Sequence, residues 1–446
     1  MGAVVILIGY AAMGALLNES GGFYDRSVPL FAAAVAATAA AMFVPATPLG
    51  AAGFRRLAGL IYVLFAVLID QHRWIAPVPG PAPTWLNDVT RAALILSVPL
   101  AAMAMPARPS ARFIVAFRVL AAVSVVALVA WQLLIPIASP HPNVDVFQSD
   151  TAATKYFLRG IDPYVVHYRD LYDGKFHYEP GFLYFPGALF LYAPVRWLGG
   201  DIRLVHVIAN VVSAAGIGAL AAQYRASESV RWLFVLLWLS FPVTGFVIEQ
   251  AWIDLLLVPC VWWTAWAIKR DQHLVTGLAS GAALAIKQYA CVAVAPLLFL
   301  ELRRHGWRKT LPVVGVSAMV AAALIVPVAA LDWHAFARST ITEHVDTPLR
   351  RDAYNVTIYL YREYHWLLPA VLRTILAATA TTAAAVWLLL RRTPTVTDAA
   401  AAMTLVFATA TLFGKWAFCN YYYWLASFVL LYVVTSLSPG DTIETA

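Results

Sequence analysis

Long apolar runs alternate with short polar turns along most of the chain. A segment that crosses lipid must pair its backbone polar groups, either as an α-helix or as a strand of a closed barrel. None of these runs shows the period-two alternation of a barrel strand, so we interpret them as helices. A span needs about 20 apolar residues, because the bilayer core is about 30 Å thick. The predicted apolar segments lie near 2–17, 28–45, 55–70, 92–105, 112–137, 184–198, 203–222, 231–248, 252–268, 274–302, 310–331, 365–390, 398–413 and 420–437.

Composition supports the same fold class. The chain is 61% hydrophobic and only 12% charged, whereas ordinary globular domains carry about 25% charged residues. We therefore predict an all-α polytopic membrane protein with about 13–14 membrane segments. The first segment lacks a basic leader and further spans follow it, so we interpret it as a retained helix rather than a secretory signal. Segment 274–302 is predicted to form two short helices that are broken at Lys287.

The cysteines do not indicate a metal site, and the net charge does not indicate nucleic-acid binding. Cys260, Cys291 and Cys419 lie in or near predicted spans without CxxC spacing, which is typical of core residues. The net charge is +7, but the basic residues are scattered at the ends of spans, as the positive-inside rule predicts.

Many basic residues lie in turns that can all be placed on one face of the membrane. If these turns are cytoplasmic, parity places the loops 145–180 and 332–364 on the outer face, together with 249–254, Lys287 and Lys415. The turns hold 15 of the 31 basic residues: Arg55, Arg56, Arg108, Arg112, Arg118, Arg225, Arg231, Lys269, Arg270, Arg303, Arg304, Arg308, Lys309, Arg391 and Arg392.

One segment disturbs this parity. Residues 184–198 and 203–222 would make two crossings where an odd number is required. Segment 184–198 contains Pro186, Gly187 and Pro194, and such residues interrupt membrane helices where a cavity is lined. We therefore predict that 184–198 is re-entrant or spans half of the membrane; a misplaced turn is the alternative.

The stretch 143–194 is the long polar interruption in the first half of the chain. Asp145 and Asp150 precede a short amphipathic pattern that is expected to lie on the membrane surface. Gly160 is predicted to end this helix at the C′ position, before a turn at Asp162-Pro163. The acids of the stretch are Asp145, Asp150, Asp162, Asp170, Asp173 and Glu179.

Other charged residues on the predicted outer face are candidates for substrate binding. Ionisable groups at membrane depth are functional by default, although each also has an ordinary alternative, such as a snorkelling lysine, a helix cap, an exposed loop residue or an interfacial aromatic. The cationic candidates are Lys287, Lys415, Arg350 and Arg351. The remaining candidates are His344, Glu179, Glu249, Asp254 and Tyr422.

Several motifs in order along residues 112–437 resemble the C-superfamily of membrane glycosyltransferases. They are Asp145-x14-Gly160-x-x-Pro163-Tyr164, Tyr184-Phe185-Pro186, Glu249-Gln250 before Asp254, Gly277-x3-Gly281-x5-Lys287-Gln288-Tyr289, and Gly414-Lys415-x2-Phe418-x-Asn420-Tyr421-Tyr422. Within this superfamily the chain is most similar to polyprenyl-phosphate-mannose-dependent mannosyltransferases of actinobacterial type. The resemblance implies a glycosyltransferase C-type helical bundle whose first external loop carries short interfacial helices. It also implies that Asp145 is the catalytic base, with Asp150 as the reserve, and that Tyr164 belongs to the site.

The resemblance also implies a domain organisation. Residues 1–107 are extra membrane helices, because the family usually places the catalytic loop after its first helix. Residues 108–437 form the catalytic domain, with external loops 138–183 and 332–364, and 438–446 form a cytoplasmic tail. An Asp-x-Asp motif is missing from a second external loop, so we expect neither a required metal nor a cofactor.

These observations predict an enzyme in a bacterial plasma membrane with its active site on the outer face. It is expected to transfer a monosaccharide, with mannose as the first candidate, from a polyprenyl-phosphate donor to a glycolipid or polysaccharide acceptor. The alternatives are a secondary transporter or flippase and a non-catalytic scaffold. No internal repeat relates the two halves of the chain, although many transporters are built from repeats.

Overall fold

A computed structural model describes residues 2–44, 50–69, 110–175 and 181–436. The predicted segment near 92–105 and the tail 438–446 lie outside these ranges. Within them the regular structure is helical, apart from an isolated bridge between Phe23 and Ala353.

The described chain forms nineteen α-helices, with a 3₁₀ turn at Gln288–Ala290 and a π turn at Arg338–Thr342. The first nine are α1 (Gly2–Ser20), α2 (Val28–Ala41), α3 (Ala51–Ile69), α4 (Ala111–Ala138), α5 (Asp145–Phe157), α6 (Gly187–Trp197), α7 (Arg203–Gln223), α8 (Glu228–Leu239) and α9 (Thr244–Glu249). The others are α10 (Asp254–Lys269), α11 (His273–Ile286), α12 (Cys291–His305), α13 (Trp307–Ala329), α14 (Trp333–Ala337), α15 (Glu343–Asp346), α16 (Val356–Tyr364), α17 (Ala370–Leu390), α18 (Val396–Leu412) and α19 (Cys419–Thr435).

Six of the described helices are long and apolar enough to cross a membrane: α1, α3, α4, α7, α13 and α17. In three of these, α4, α13 and α17, only 22%, 17% and 17% of the residues in the apolar window are buried, as expected for helices that face lipid. Every residue of α19 except Tyr421 is buried, which is typical of a helix that is apolar all round and lies in the core. The prediction of an all-α polytopic membrane protein is therefore confirmed.

Two interruptions of the membrane helices agree with the sequence. Helix α11 ends before Lys287, whose backbone is extended (φ −151°, ψ 142°), and α12 starts after the 3₁₀ turn. Helix α6 has 11 residues, a rise of about 16 Å that cannot cross a bilayer. A Cβ at Gly187 would approach the Ala285 carbonyl oxygen to 2.5 Å, so glycine permits the close contact between α6 and α11. The predicted break and the half-length segment are both confirmed.

Helix α5 ends as the sequence predicts. Gly160 has a positive φ of 69°, and the neighbouring amides close a Schellman motif: Ile161 N–H donates to Tyr156 O at 3.0 Å and Gly160 N–H to Phe157 O at 3.0 Å. The chain then turns back over α5, which packs against α6.

Basic turns meet at one end of the bundle. The Arg304 guanidinium donates to the Ile268 carbonyl at 2.6 Å and that of Arg303 to the Arg391 carbonyl at 3.1 Å. Helix α10 runs from this end to Asp254, which contacts Lys287 and Asn420 at the opposite end. The basic turns at 268–271, 303–304 and 391–392, which the sequence assigns to one face, are therefore also neighbours in space.

Candidate active site

A cavity of about 430 Å³ lies at the end of the bundle opposite these basic turns. It is formed by the start of α5, the loop after it, the segment around α15 and the chain between α18 and α19. The described residues that line it are Phe23, Val144, Asp145, Val146, Gln148, Ser149, Ala152, Tyr156, His167, Tyr168, Arg169, Tyr172, Gly181, Leu183, Tyr184, Trp252, His344, Thr347, Arg350, Trp416, Phe418, Asn420 and Tyr421.

Asp145 supplies the one carboxylate among these described lining residues. It is the first residue of α5, and its Oδ1 accepts hydrogen bonds from the Val146 amide at 2.9 Å and from the Tyr172 hydroxyl at 3.5 Å. Burial, and then the Asp145 carboxylate, raise the pKa of Tyr172 to about 12. Tyr172 therefore stays protonated at neutral pH and donates to Asp145.

Asp150 lies on another face of α5 and is not part of the cavity lining. Five residues of α-helix rotate the side chain by about 140° from that of Asp145. Asp150 is fully buried, and no hydrogen bond of normal length from the described residues reaches its carboxylate oxygens. Burial raises the pKa of Asp150 well above its usual range, against the opposing field of Lys287. Of the two predicted bases, only Asp145 therefore lines the cavity.

Lys287, Asp254 and Asn420 form a buried polar group at the cavity wall, in which Asn420 lines the cavity and the ion pair lies behind it. The Lys287 ammonium donates to Asp254 Oδ2 at 2.8 Å, and the Asn420 amide donates to the same oxygen at 2.6 Å. Lys287 Nζ also lies 5.0 Å and 5.2 Å from the ring centres of Tyr184 and Tyr421, which both line the cavity. Lys287 thus acts on the cavity through its electric field, from behind two tyrosines.

Two arginines face the cavity. Arg350 lines it while its guanidinium makes a two-point contact with Asp352 at 2.9 Å and 2.8 Å. Arg169 also lines it, is exposed, and has no ion pair or hydrogen bond among the residues that the structure describes. Arg351 lies outside the lining and stacks over the Tyr361 ring at 5.4 Å.

Lys415 is held by the backbone rather than directed into the cavity. Its ammonium donates to the carbonyl oxygens of His344, Val345 and Thr347 at 3.1, 2.5 and 2.8 Å. An ammonium has three donors, so all of them are used. These contacts fasten the end of α15 to the segment before α19, and Lys415 is not among the residues that line the cavity.

His344 lines the cavity through the loop that Lys415 fastens. Its ring centre lies 6.1 Å from that of Trp416, and its Nδ1 is buried without a hydrogen-bond partner among the described residues. Burial lowers the pKa of His344 to about 4. The imidazole is therefore neutral at physiological pH and presents a polar edge without a charge.

The remaining predicted site residues are not found in the cavity lining. Glu249 is buried and accepts from the Ser139 hydroxyl at 2.6 Å and from the Gln250 amide at 2.9 Å. The Tyr164 hydroxyl donates to the Tyr184 carbonyl at 2.7 Å, and that of Tyr422 to the Tyr354 carbonyl at 2.6 Å. These four hydrogen bonds join the three residues to other parts of the fold. Glu179 lies outside the described residues.

Sequence reasoning missed much of the cavity lining. Tyr172, His167 and Arg169 come from the polar stretch that contains Asp145, so their position in the loop was a usable signal. Tyr421 is the neighbour of the predicted Tyr422, and no local pattern separates the two.

Residues 182–418, just over half of the chain, match the model of glycosyltransferase family 87. The chain belongs to this family. The family 87 match makes the protein a membrane glycosyltransferase and favours this function over the transporter and scaffold alternatives. The matched region covers Lys287, His344 and Arg350 and begins after α5, so it does not include Asp145. No curated protein and no solved structure gives a significant match to the chain.

Proposed function

We propose that this family 87 glycosyltransferase transfers a monosaccharide from a polyprenyl-phosphate donor to an envelope glycolipid or polysaccharide, with Asp145 as the general base. Mannose is the first candidate for the sugar. One observation carries the proposal. Among the residues that the structure describes, one carboxylate, that of Asp145, lines the same cavity as two arginines, Arg169 and Arg350.

Aromatic side chains support a sugar as the group that enters the cavity. Tyr156, Tyr172, Tyr184, Trp252, Trp416 and Tyr421 are among the lining residues. Such rings offer apolar faces to the C–H groups of a pyranose, while the tyrosine hydroxyls and Asn420 can exchange hydrogen bonds with its hydroxyls. Pockets for small ligands measure about 300–1,000 Å³, and the volume of about 430 Å³ falls in this range.

The reaction needs a base for the acceptor and cations for the leaving group. Asp145 removes the proton from the acceptor hydroxyl as its oxygen forms a bond to the anomeric carbon of the donor. The bond between that carbon and the phosphate oxygen breaks, and polyprenyl phosphate leaves with the electron pair. Arg169 and Arg350 stabilise the charge that develops on the phosphate, assisted by the field of Lys287.

A single displacement follows from the same geometry. Double displacement requires a second carboxylate to act as nucleophile a few ångströms from the first, and Asp145 has no such companion among the described lining residues. We therefore expect the product to have the anomeric configuration opposite to that of the donor, which NMR of the product measures directly.

The outer face is the expected side of the reaction. The basic turns gather at the end of the bundle away from the cavity, and the positive-inside rule assigns such turns to the cytoplasm.

An assay of the purified protein with polyprenyl-phosphate mannose and candidate acceptors tests the proposal. Asp145→Asn keeps the size of the side chain and removes the base, so kcat should fall about 10²–10⁴-fold. Asp173→Asn is the matched control: it lies in the loop after α5, is exposed, and has a positive φ that asparagine tolerates. This control should retain full activity.

Asp150→Asn separates the two predicted bases. Because Asp150 lies outside the cavity lining, this variant should retain most of its activity once size-exclusion chromatography shows that it is folded. Full activity of Asp145→Asn, or a loss confined to Asp150→Asn, would move the base away from Asp145.

A further inference from the structure

A second cluster of ligand-type side chains lies at the opposite end of the bundle, among the basic turns. His273 begins α11, while Glu301 and His305 lie near the end of α12. Glu301 and His305 are four residues apart, a spacing that places both on one face of a helix. The turn between α10 and α11 brings His273 and Asp271 to the same point.

The donor atoms of this cluster already converge. One ligand atom each from His273, Glu301 and His305 lies within 4.8 Å of the other two. His273 Nδ1 is in direct contact with Glu301 Oε1, and His305 Nε2 is 3.1 Å from Asp271 Oδ1. In a tetrahedral zinc site, ligand distances of about 2.0–2.1 Å separate neighbouring donors by about 3.3 Å. The contact between His305 and Asp271 is therefore close to the edge of such a tetrahedron, whereas His273 and Glu301 lie closer together and would move apart around an ion.

The surroundings of the Glu301 carboxylate favour a bound cation. Its side chain is fully buried, and its Oε2 has no hydrogen-bond partner among the residues that the structure describes. A buried carboxylate without a full set of partners is costly. The neighbouring Arg304 does not supply them, because it contacts the Ile268 carbonyl and Asp271.

The cluster is also open to entry from solvent. The side chains of His273 and His305 are 37% and 16% exposed, so the two imidazoles lie between the buried carboxylate and water. A site with the anion at its base and partly exposed imidazoles at its rim can close around an incoming ion by small side-chain rotations.

We propose that His273, Glu301 and His305 bind a divalent transition metal, with Zn²⁺ as the favoured ion and Asp271 or water in the fourth position. Two imidazoles with carboxylates suit zinc, whereas Mg²⁺ and Ca²⁺ prefer ligand sets made of oxygen alone. The ion fastens the turn between α10 and α11 to the end of α12. It is structural, since the cluster lies at the end of the bundle opposite the cavity, and it is independent of the proposed transfer reaction.

Metal binding to the tag-free, detergent-purified protein tests the proposal without an activity assay. After EDTA treatment and dialysis, the wild type should take up about one Zn²⁺ per chain, and Co²⁺ in its place should give the strong visible absorption of a tetrahedral site. Zn²⁺ should also raise the thermal unfolding midpoint. His305→Gln and Glu301→Gln should weaken binding by at least about 10-fold, because each removes a ligand. His141→Gln, an exposed histidine elsewhere, should bind like the wild type.

Three results would overturn the site: no Zn²⁺ uptake by the wild type, a weak octahedral Co²⁺ spectrum, or equal binding by the wild type and both ligand variants. The wild-type stoichiometry and spectrum decide the matter even if a ligand variant does not fold.

Discussion

At the scale of single residues, the two lysines of the predicted cationic set have different surroundings. Lys287 is paired with a buried carboxylate behind the cavity wall, and Lys415 is saturated by three backbone carbonyls. The cavity itself presents Arg169 and Arg350. In the proposed reaction, direct contact with the donor phosphate is therefore assigned to the arginines, whose planar guanidinium groups suit phosphate oxygens.

Replacing these cations should separate the two roles. Arg169→Gln and Arg350→Gln should each lower kcat/KM for the lipid-phosphate donor by about 10–100-fold, a loss of about 1.4–2.8 kcal/mol of transition-state binding. Lys415→Gln should change the KM for the donor much less but lower the unfolding temperature, because three carbonyls lose their donor. Steady-state kinetics and thermal unfolding measure both effects. A larger kinetic loss for Lys415→Gln than for both arginine variants would contradict this division.

His344 should make the stability of the protein depend on pH. Its pKa is about 4 in the fold because of burial, against about 6.5 in an unfolded chain. Between these values the unfolded state binds more protons, so stability should fall as the pH drops from about 6.5 to 4 and stay constant above about 6.5.

Unfolding temperatures measured in detergent from pH 4.5 to 8 test this dependence. His344→Gln should lose part of the acid-side slope, and the exposed His141→Gln should keep it. Equal slopes in the wild type and His344→Gln would show that His344 does not titrate in this way.

At the scale of elements, interruptions of the helices position the site. The break at Lys287 brings an extended residue and its ammonium to the N-terminus of α10, where Asp254 lies. The short α6 packs close to α11 at Gly187 and leaves room for α5 above it.

The pair formed by Asp254 and Lys287 should be sensitive to the loss of one partner. Lys287→Met leaves the buried Asp254 carboxylate with the Asn420 amide as its hydrogen-bond donor, and breaking such a pair costs about 3–5 kcal/mol. The double variant Asp254→Asn with Lys287→Met removes both charges, so it should regain a large part of that stability. Thermal unfolding of the wild type, Lys287→Met, Asp254→Asn and the double variant measures the coupling. Additive losses in the double variant would show that the two charges do not stabilise each other.

At the scale of the whole molecule, the bundle has two chemically distinct ends. One carries the basic turns and the proposed metal cluster, and the other carries the cavity. The buried helix α19 joins them through the core, while α4, α13 and α17 expose apolar faces. By the positive-inside rule, we expect the end with the basic turns to face the cytoplasm.

Cysteine labelling tests the orientation. In a background with Cys260, Cys291 and Cys419 replaced by alanine, Ser149→Cys in the cavity should react with a membrane-impermeant maleimide on intact cells. Thr393→Cys, exposed in the turn between α17 and α18, should react only after permeabilisation. The reverse pattern would place the cavity in the cytoplasm and exclude an outer-face reaction.

The sequence alone determined the features that depend on local order. Apolar runs of sufficient length fix membrane helices, a glycine with positive φ ends α5, and Lys287 interrupts a span, because each effect acts within a few residues. The helical repeat also separates Asp145 from Asp150, since five residues of helix point them in different directions.

Only the tertiary structure decided which polar groups meet. The carbonyls that occupy Lys415 lie about 70 residues away in the chain, as the contacts with Val345 and Thr347 show. Tyr421 faces the cavity and Tyr422 the core, although the two are adjacent and chemically alike. His273 meets Glu301 only because two helices end side by side. Packing between distant segments sets how deeply a side chain is buried and which groups it contacts. The chemistry of that side chain at a site follows from both.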